Sequence, residues 1–217
     1  VFDSSLNPTP WEGTINAVGA NIGYFSLNPV REPEMMPWGN KLVAGAEWAD
    51  QQIGSELEYT GLSLSLRNYF RVSKDLNLAL QIEGKTIKNK DPQKRLVYTL
   101  DGWTELRGYP QDFLDSFSGE NLVFASVESR INLKRQVGGS SSFYFDNMGL
   151  AFFYDAGATW PCNENLKKDD IHQDAGVELR IRFLPFGKYS ALLRFGVSFP
   201  LDFDRKGKFF LMLGGVF

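Results

Sequence analysis

Apolar and polar residues alternate with a period of two in run after run of this chain, and that pattern limits its fold more than any other feature. Leu62, Leu64 and Leu66 alternate with Ser63, Ser65 and Arg67, and Leu76, Leu78, Leu80 and Ile82 with Asn77, Ala79, Gln81 and Glu83. Val177, Leu179, Ile181 and Phe183 alternate with Glu178, Arg180 and Arg182, and Ala191, Leu193, Phe195, Val197 and Phe199 with Leu192, Arg194, Gly196 and Ser198. Successive side chains of a β-strand point to opposite faces, so each run has one apolar and one polar face. The runs are roughly nine to twelve residues long, the length a tilted strand needs to cross a bilayer core. Strands in globular proteins usually have about five or six residues.

On this basis the spacing predicts about ten strands, over 13–25, 41–49, 57–71, 75–87, 94–100, 121–133, 146–158, 172–184, 189–199 and 207–217. No segment shows helical periodicity over three turns, and no apolar stretch is long enough for a transmembrane helix. Mean hydropathy is −0.25, which does not exclude a membrane, because a barrel strand averages lipid-facing with lumen-facing residues. The net charge of −3 leaves no basic footprint, so nucleic acid is not expected as a partner. A single cysteine, Cys162, and a single histidine, His172, allow no internal disulfide and no zinc site, which needs three or four convergent ligands; no metal or other cofactor is expected. With one histidine there is also no Ser-His-Asp set, and an enzyme is not expected.

Three connections are long: 26–40, 101–120 and 159–171. With ten strands they all fall on one side, opposite short links such as Asn89–Pro92 and Pro185–Lys188, with 134–145 a longer exception. Long loops on one side and short turns on the other is the arrangement of outer-membrane barrels. Aromatic residues gather near the strand ends, among them Tyr24, Phe25, Trp48, Tyr69, Phe70, Tyr98, Phe143, Tyr144, Phe145, Trp160 and Tyr189, as in interfacial girdles. The polar face carries Arg67, Glu83, Glu128, Arg130, Glu178, Arg180, Arg182 and Arg194. A wet lumen accommodates these charges, and so does the solvent face of a soluble β-sandwich. Strand length favours the barrel.

The loop 101–120 contains Leu106-Arg107-Gly108-Tyr109-Pro110. Glu128-Ser129-Arg130 follows on the next strand, and Phe152-Phe153-Tyr154-Asp155-Ala156-Gly157 on the one after. Then come Gly176-Val177-Glu178-Leu179-Arg180, Leu193-Arg194-Phe195-Gly196, and a last strand ending Leu213-Gly214-Gly215-Val216-Phe217. This series resembles the C-terminal half of the outer-membrane protein assembly and translocation superfamily, the BamA/TamA-type bacterial surface antigen barrels. The resemblance is strong from Thr99 to Phe217 and rests only on strand patterning before that.

The resemblance implies an all-β, antiparallel transmembrane barrel in which residues 1–217 form the C-terminal ten or so of sixteen strands. It implies that the long loop folds back into the lumen and that Arg107, in an Arg-Gly-aromatic tripeptide, is held by Glu128 and Asp155. The physical logic agrees. Both carboxylates fall on the polar register, by alternation from Arg130 and Gly157, and a planar guanidinium can take them bidentately. An unpaired arginine there would cost on the order of several kcal/mol. Gly108 is expected to let the loop turn tightly, and Gly157 to leave a smooth patch beneath its tip.

The last strand carries Phe209, Leu211, Leu213 and Phe217 on one face, and the resemblance implies that such a terminal strand is read as an assembly signal. It further implies a place in the bacterial outer membrane and a role in inserting or exporting proteins. The partners would be lipopolysaccharide and other outer-membrane lipids, a client or passenger polypeptide, and periplasmic accessory proteins. Two alternatives stand: a barrel that exports or anchors an attached domain, such as a patatin-like lipase, and a soluble lipocalin-like binding barrel. Ten strands alone would leave two open edges in lipid, and the chain begins Val1-Phe2-Asp3 without methionine or signal peptide, so it is expected to be a piece of a longer one.

Overall fold

A computed structural model of the chain describes residues 13–27, 36–91, 95–140, 142–186, 190–201 and 206–214. Strands β1 (Ala17–Phe25), β2 (Gly39–Ala49), β3 (Tyr59–Arg71) and β4 (Leu76–Asn89) come first. Two short strands, β5 (Tyr98–Thr99) and β6 (Ser118–Gly119), flank a helical turn, α1 (Gln111–Leu114). Then follow β7 (Asn121–Gly139), β8 (Phe143–Trp160), β9 (His172–Pro185), β10 (Ala191–Pro200) and β11 (Lys208–Gly214). Nine of these form one sheet in the order β1-β2-β3-β4-β7-β8-β9-β10-β11, while β5 and β6 pair only with each other. Every neighbour in the large sheet is antiparallel.

The strand expected at 94–100 is therefore not a wall strand. β4 pairs directly with β7, from Leu76 opposite Ile131 to Thr86 opposite Asn121. The apolar residues that imitated a strand serve the loop instead: Leu100 is buried in a cluster with Leu106, Tyr109, Leu114, Leu122 and Phe124. Removing one strand changes the parity of the connections. The long loop now runs from 90 to 120 and shares its side with 161–171, whereas 26–38 lies on the opposite side, among the short turns. The expected long link at 134–145 is also absent, because β7 and β8 continue through it into a hairpin. The ladder slips between Asn132 and Lys134 and between Arg135 and Gly138, and Gln136 and Gly138 take the left-handed backbone that such bulges use.

The two faces of the sheet differ as the alternation predicts. Val18, Ile22, Leu42, Leu62, Leu64, Leu78, Ile82, Val127, Phe152, Phe195, Leu211 and Leu213 are large apolar residues left exposed on one face. A soluble protein rarely shows a contiguous apolar surface of this extent, and lipid is the solvent that makes it favourable. Trp48 and Tyr154 lie exposed toward the long-loop side, and Tyr24, Phe70, Phe143 and Phe145 toward the turn side, where aromatic girdles belong. Tyr69 and Tyr98 leave the expected girdle: Tyr69 lies under the Arg130 guanidinium on the inner face, and Tyr98 packs against the buried loop cluster. Tyr189 lies outside the described residues.

The inner face receives chain from both ends. From the turn side, the Pro37 carbonyl accepts a hydrogen bond from Asn77 of β4, and Met36 is buried against Leu192 of β10. From the other side comes the loop 90–120.

Candidate functional site

The long loop is braced by its own sequence before it touches the wall. Asp101 accepts from the Trp103 amide and the Thr104 hydroxyl, both at 2.7 Å, and its own amide donates to Glu105 at 2.7 Å. Such Asx-type bonds hold a tight turn without regular secondary structure. Gln111 ties the turn to α1, accepting from the Gly102 amide at 2.8 Å and donating to the Leu100 carbonyl at 3.2 Å. Burial of Glu105 pushes its carboxyl upward from the usual range. Leu106 is fully buried among Leu100, Tyr109, Leu114, Leu122 and Phe124, so the loop inserts an apolar wedge next to its charged one.

Arg107, only 2% exposed, is that charged wedge. Its Nε and Nη2 donate to the two oxygens of Asp155 at 2.8 and 2.9 Å. This is the bidentate pairing that a guanidinium makes and an ammonium does not. Nη1 donates to Glu128 at 2.8 Å and reaches Glu178 at 3.4 Å. The guanidinium carbon lies 3.5 Å from the centre of the Phe153 ring, a cation–π contact in a site with little water. One arginine is thus held by carboxylates from three consecutive strands, β7, β8 and β9, over an aromatic floor.

Those carboxylates are shared with three arginines of the wall. Arg130 donates to Glu128 at 2.7 Å, and Arg180 bonds Glu128 at 3.0 Å and also Glu178. Arg194 takes both oxygens of Glu178, at 2.8 and 2.7 Å. A buried ion pair gains little over an apolar pair because desolvation offsets its attraction. Removing one member of a balanced network leaves a stranded charge, and that asymmetry fixes which loop residue must sit here.

The neighbours of Arg107 fasten the tip to the following strands. The Gly108 amide donates to Asp174 of β9 at 2.9 Å, and the same carboxylate accepts from Ser198 of β10 at 2.8 Å. A Cβ on Gly108 would sit 2.8 Å from the Asp174 Cβ and 3.1 Å from the Ser198 hydroxyl. The glycine is required by this close approach rather than by a special turn, since its φ is not positive. The Tyr109 hydroxyl donates to the Gln173 carbonyl at 3.0 Å, and its ring stacks on Phe113 at 5.4 Å. His172 is buried among Tyr109, Phe113 and Phe117. Lys208 of β11 donates to the Gly102 and Tyr109 carbonyls at 2.7 and 2.8 Å, with its ammonium 4.7 Å from the Trp103 ring centre.

The structure brings Leu106, Arg107, Gly108 and Tyr109 together with Glu128 and Asp155. Gly157 faces Leu100, whose methyl groups would be 3.0 and 3.1 Å from an added Cβ; it accommodates the stem of the loop, not its tip. Phe209, Leu211 and Leu213 lie on the exposed outer face of β11, away from the loop, and Phe217 lies outside the described residues. Sequence reasoning assigned Glu178, Arg180 and Arg194 to the polar face without giving them a part in the clasp. It missed Phe153, Asp174, Ser198 and Lys208, although alternation from Asp155, Glu178, Gly196 and Phe210 would have turned each inward. The carboxylates are directed at guanidinium groups, and among the described residues no three His, Cys, Asp or Glu side chains converge on a metal position.

Comparison with known proteins adds an independent line. A family model described as an Omp85 superfamily domain matches residues 34–217. The match reaches back well before Thr99, where the recognisable motifs begin. No curated protein matches the chain.

Proposed function

The chain belongs to the Omp85 superfamily, and from that premise we propose that it is the wall of a non-catalytic barrel that inserts or exports proteins at the bacterial outer membrane. At the level of the family, membership supports an outer-membrane assembly or translocation barrel. In this reading the nine-stranded sheet is part of a closed cylinder, its edge strands β1 and β11 meeting further strands of a sixteen-stranded barrel. Open edges in hydrocarbon would leave unpaired amides, each costing several kcal/mol. The 90–120 loop then faces the cell exterior and folds back into the lumen, and β11 is the strand at which the cylinder opens. An opened β11 offers main-chain donors and acceptors to a strand of the client, the β-augmentation mode of recognition. Outer-membrane lipids, lipopolysaccharide among them, bathe the apolar face, and periplasmic accessory proteins deliver the client.

The observation that carries the reading is the clasp of Arg107 by Asp155, Glu128 and Glu178. A loop locked across a wet lumen is a brace that a passive pore or a simple anchor has no need of. Conditional depletion of the full-length protein tests it. The expected result is loss of folded barrel proteins from the outer membrane, restored by the wild-type gene and not by Arg107→Ala. Normal levels of all other barrels, with loss of one secreted domain only, would overturn the insertion reading in favour of dedicated export.

A further inference from the structure

Strand β11 presents two inward residues in its described part that bear on the loop, and they do so by different means. Lys208 donates to the carbonyls of Gly102 and Tyr109, which lie on either side of the Leu106-Arg107-Gly108 tip. Phe210, two residues on and so on the same face, is buried against Phe153 at 6.2 Å between ring centres. Phe153 is also the floor beneath the Arg107 guanidinium. Phe210 reaches this position by crossing Gly196 of β10, where an added Cβ would lie 2.5 Å from its ring. The first contact is a cation on two main-chain acceptors, a bond stronger than a neutral one. The second is a chain of contacts in which the β11 ring packs tilted against the wall ring, and the wall ring underlies the loop guanidinium.

We infer that Lys208 is a positioning residue that makes the seat of the loop and the edge position of β11 one cooperative unit. In the wall, β11 is held by a single described neighbour, β10, whereas the loop is anchored to β7, β8 and β9 through Arg107 and Gly108. When β11 leaves β10, the lysine leaves both carbonyls and the Phe210 ring leaves Phe153. When the loop lifts, β11 loses the only described side-chain hydrogen bonds that tie it to anything but its own sheet. Opening of the wall and loosening of the brace are therefore coupled, and a client strand that displaces β11 also weakens the seat of the loop on the wall. This rests on the reading of β11 as the opening strand.

Amide hydrogen exchange on the full-length protein in lipid nanodiscs tests the coupling, because it reads local opening segment by segment. Lys208→Met keeps the aliphatic stem and removes the donor. It is expected to speed exchange in 102–109 and in 208–214 together, by roughly tenfold or more, while β8 and β9 stay protected. Lys208→Arg, which retains a cation and donors, is expected to restore most of the protection in both segments. Faster exchange in 208–214 alone, with 102–109 unchanged, would overturn the inference. If Lys208→Met fails to fold, Asp155→Asn gives the reverse reading: it loosens the loop from the other end and must speed exchange in 208–214 as well as in 102–109. No client is present in this measurement. Uncoupled segments leave the assembly reading standing, and coupled segments in a protein that assembles nothing refute that reading alone.

Discussion

The inner face of this sheet has two unlike halves. Across β7 to β10 it is charged, aromatic and buried: Phe124, Glu128, Phe153, Asp155, Asp174, Glu178 and Arg180 are all covered by the loop or by one another. Across β1 to β3 it carries a patch of small residues, with Gly19, Asn21, Gly45, Gly61 and Ser63 around an open groove of about 220 Å³ that also touches Glu47, Lys85 and Tyr98. The outer faces of the two halves do not differ in this way, because both are apolar and exposed. The difference follows from what each half has to accommodate. Charges buried in a lumen must be satisfied by a partner of fixed geometry, and the loop is that partner. Small side chains need no partner and leave space. One half of the wall specifies where a segment sits, and the other presents an open groove.

Breaking the clasp has the largest expected effect. Arg107→Met fills similar space without charge and leaves Asp155, among the described residues, with only the Ser126 hydroxyl, now 2.6 Å away, as a side-chain donor. Stranding a buried carboxylate in this way costs about 3–5 kcal/mol. Urea unfolding of the full-length barrel in lipid vesicles should show that loss, and a protease should now cut within 101–118. An unchanged midpoint with the loop still protected would assign the hold to packing rather than to ions.

Leu106→Ala asks how much of the hold is packing. The side chain is fully buried among Leu100, Tyr109, Leu114, Leu122 and Phe124, and truncating such a leucine costs about 3 kcal/mol, mid-range for the substitution. The same unfolding measurement reads it, and a loss under about 1 kcal/mol would mean that the loop collapses freely around the gap. Gly108→Ala comes next. Its methyl group would meet Asp174 and Ser198, and overpacking at a site that can yield only by tenths of an ångström costs about 1–3 kcal/mol. In a double-mutant cycle with Asp174→Gly, which removes the obstructing Cβ as well as the carboxylate, the loss caused by Gly108→Ala should shrink; a strictly additive pair would show that the clash is elsewhere.

What could be read from the residues divides along the same line. Period-two alternation placed all nine wall strands at or near their observed ranges and turned Glu128 and Asp155 inward, because both statements depend only on local periodicity. It misread 94–100, where Leu96, Tyr98 and Leu100 repeat like a strand but pack against the inside of the wall, Leu100 fully buried and the other two partly. Periodicity reports an apolar face, not what covers it. That single error reversed the side assigned to 26–38, because each strand added or removed changes the parity of everything upstream. The third carboxylate of the clasp, Glu178, was visible as an inward residue, but its convergence on Arg107 depends on how far the strands are staggered, which alternation does not encode. Lys208 was hidden for a different reason. Its partners are main-chain carbonyls, and no residue type marks a carbonyl.

The smallest expected effect tests the other half of the comparison. Ser63 faces the groove from β3, beside Gly45 and Asn21, and among the described residues no side-chain hydrogen bond depends on it. Ser63→Ala should change stability by less than about 0.5 kcal/mol, as for surface positions away from any special feature. Ser63→Leu sharpens the question, because a larger side chain is harmless only where space is available. In an open groove it too should fall within about 0.5 kcal/mol. In a filled one it should cost about 1–3 kcal/mol, as overpacking does elsewhere. The pair of variants, read by the same unfolding curve as Arg107→Met, therefore distinguishes a wall that is bare in the complete barrel from one covered by another element. If Ser63→Leu is as damaging as Gly108→Ala, both halves of the wall hold a segment in place, and the groove is filled in the complete barrel.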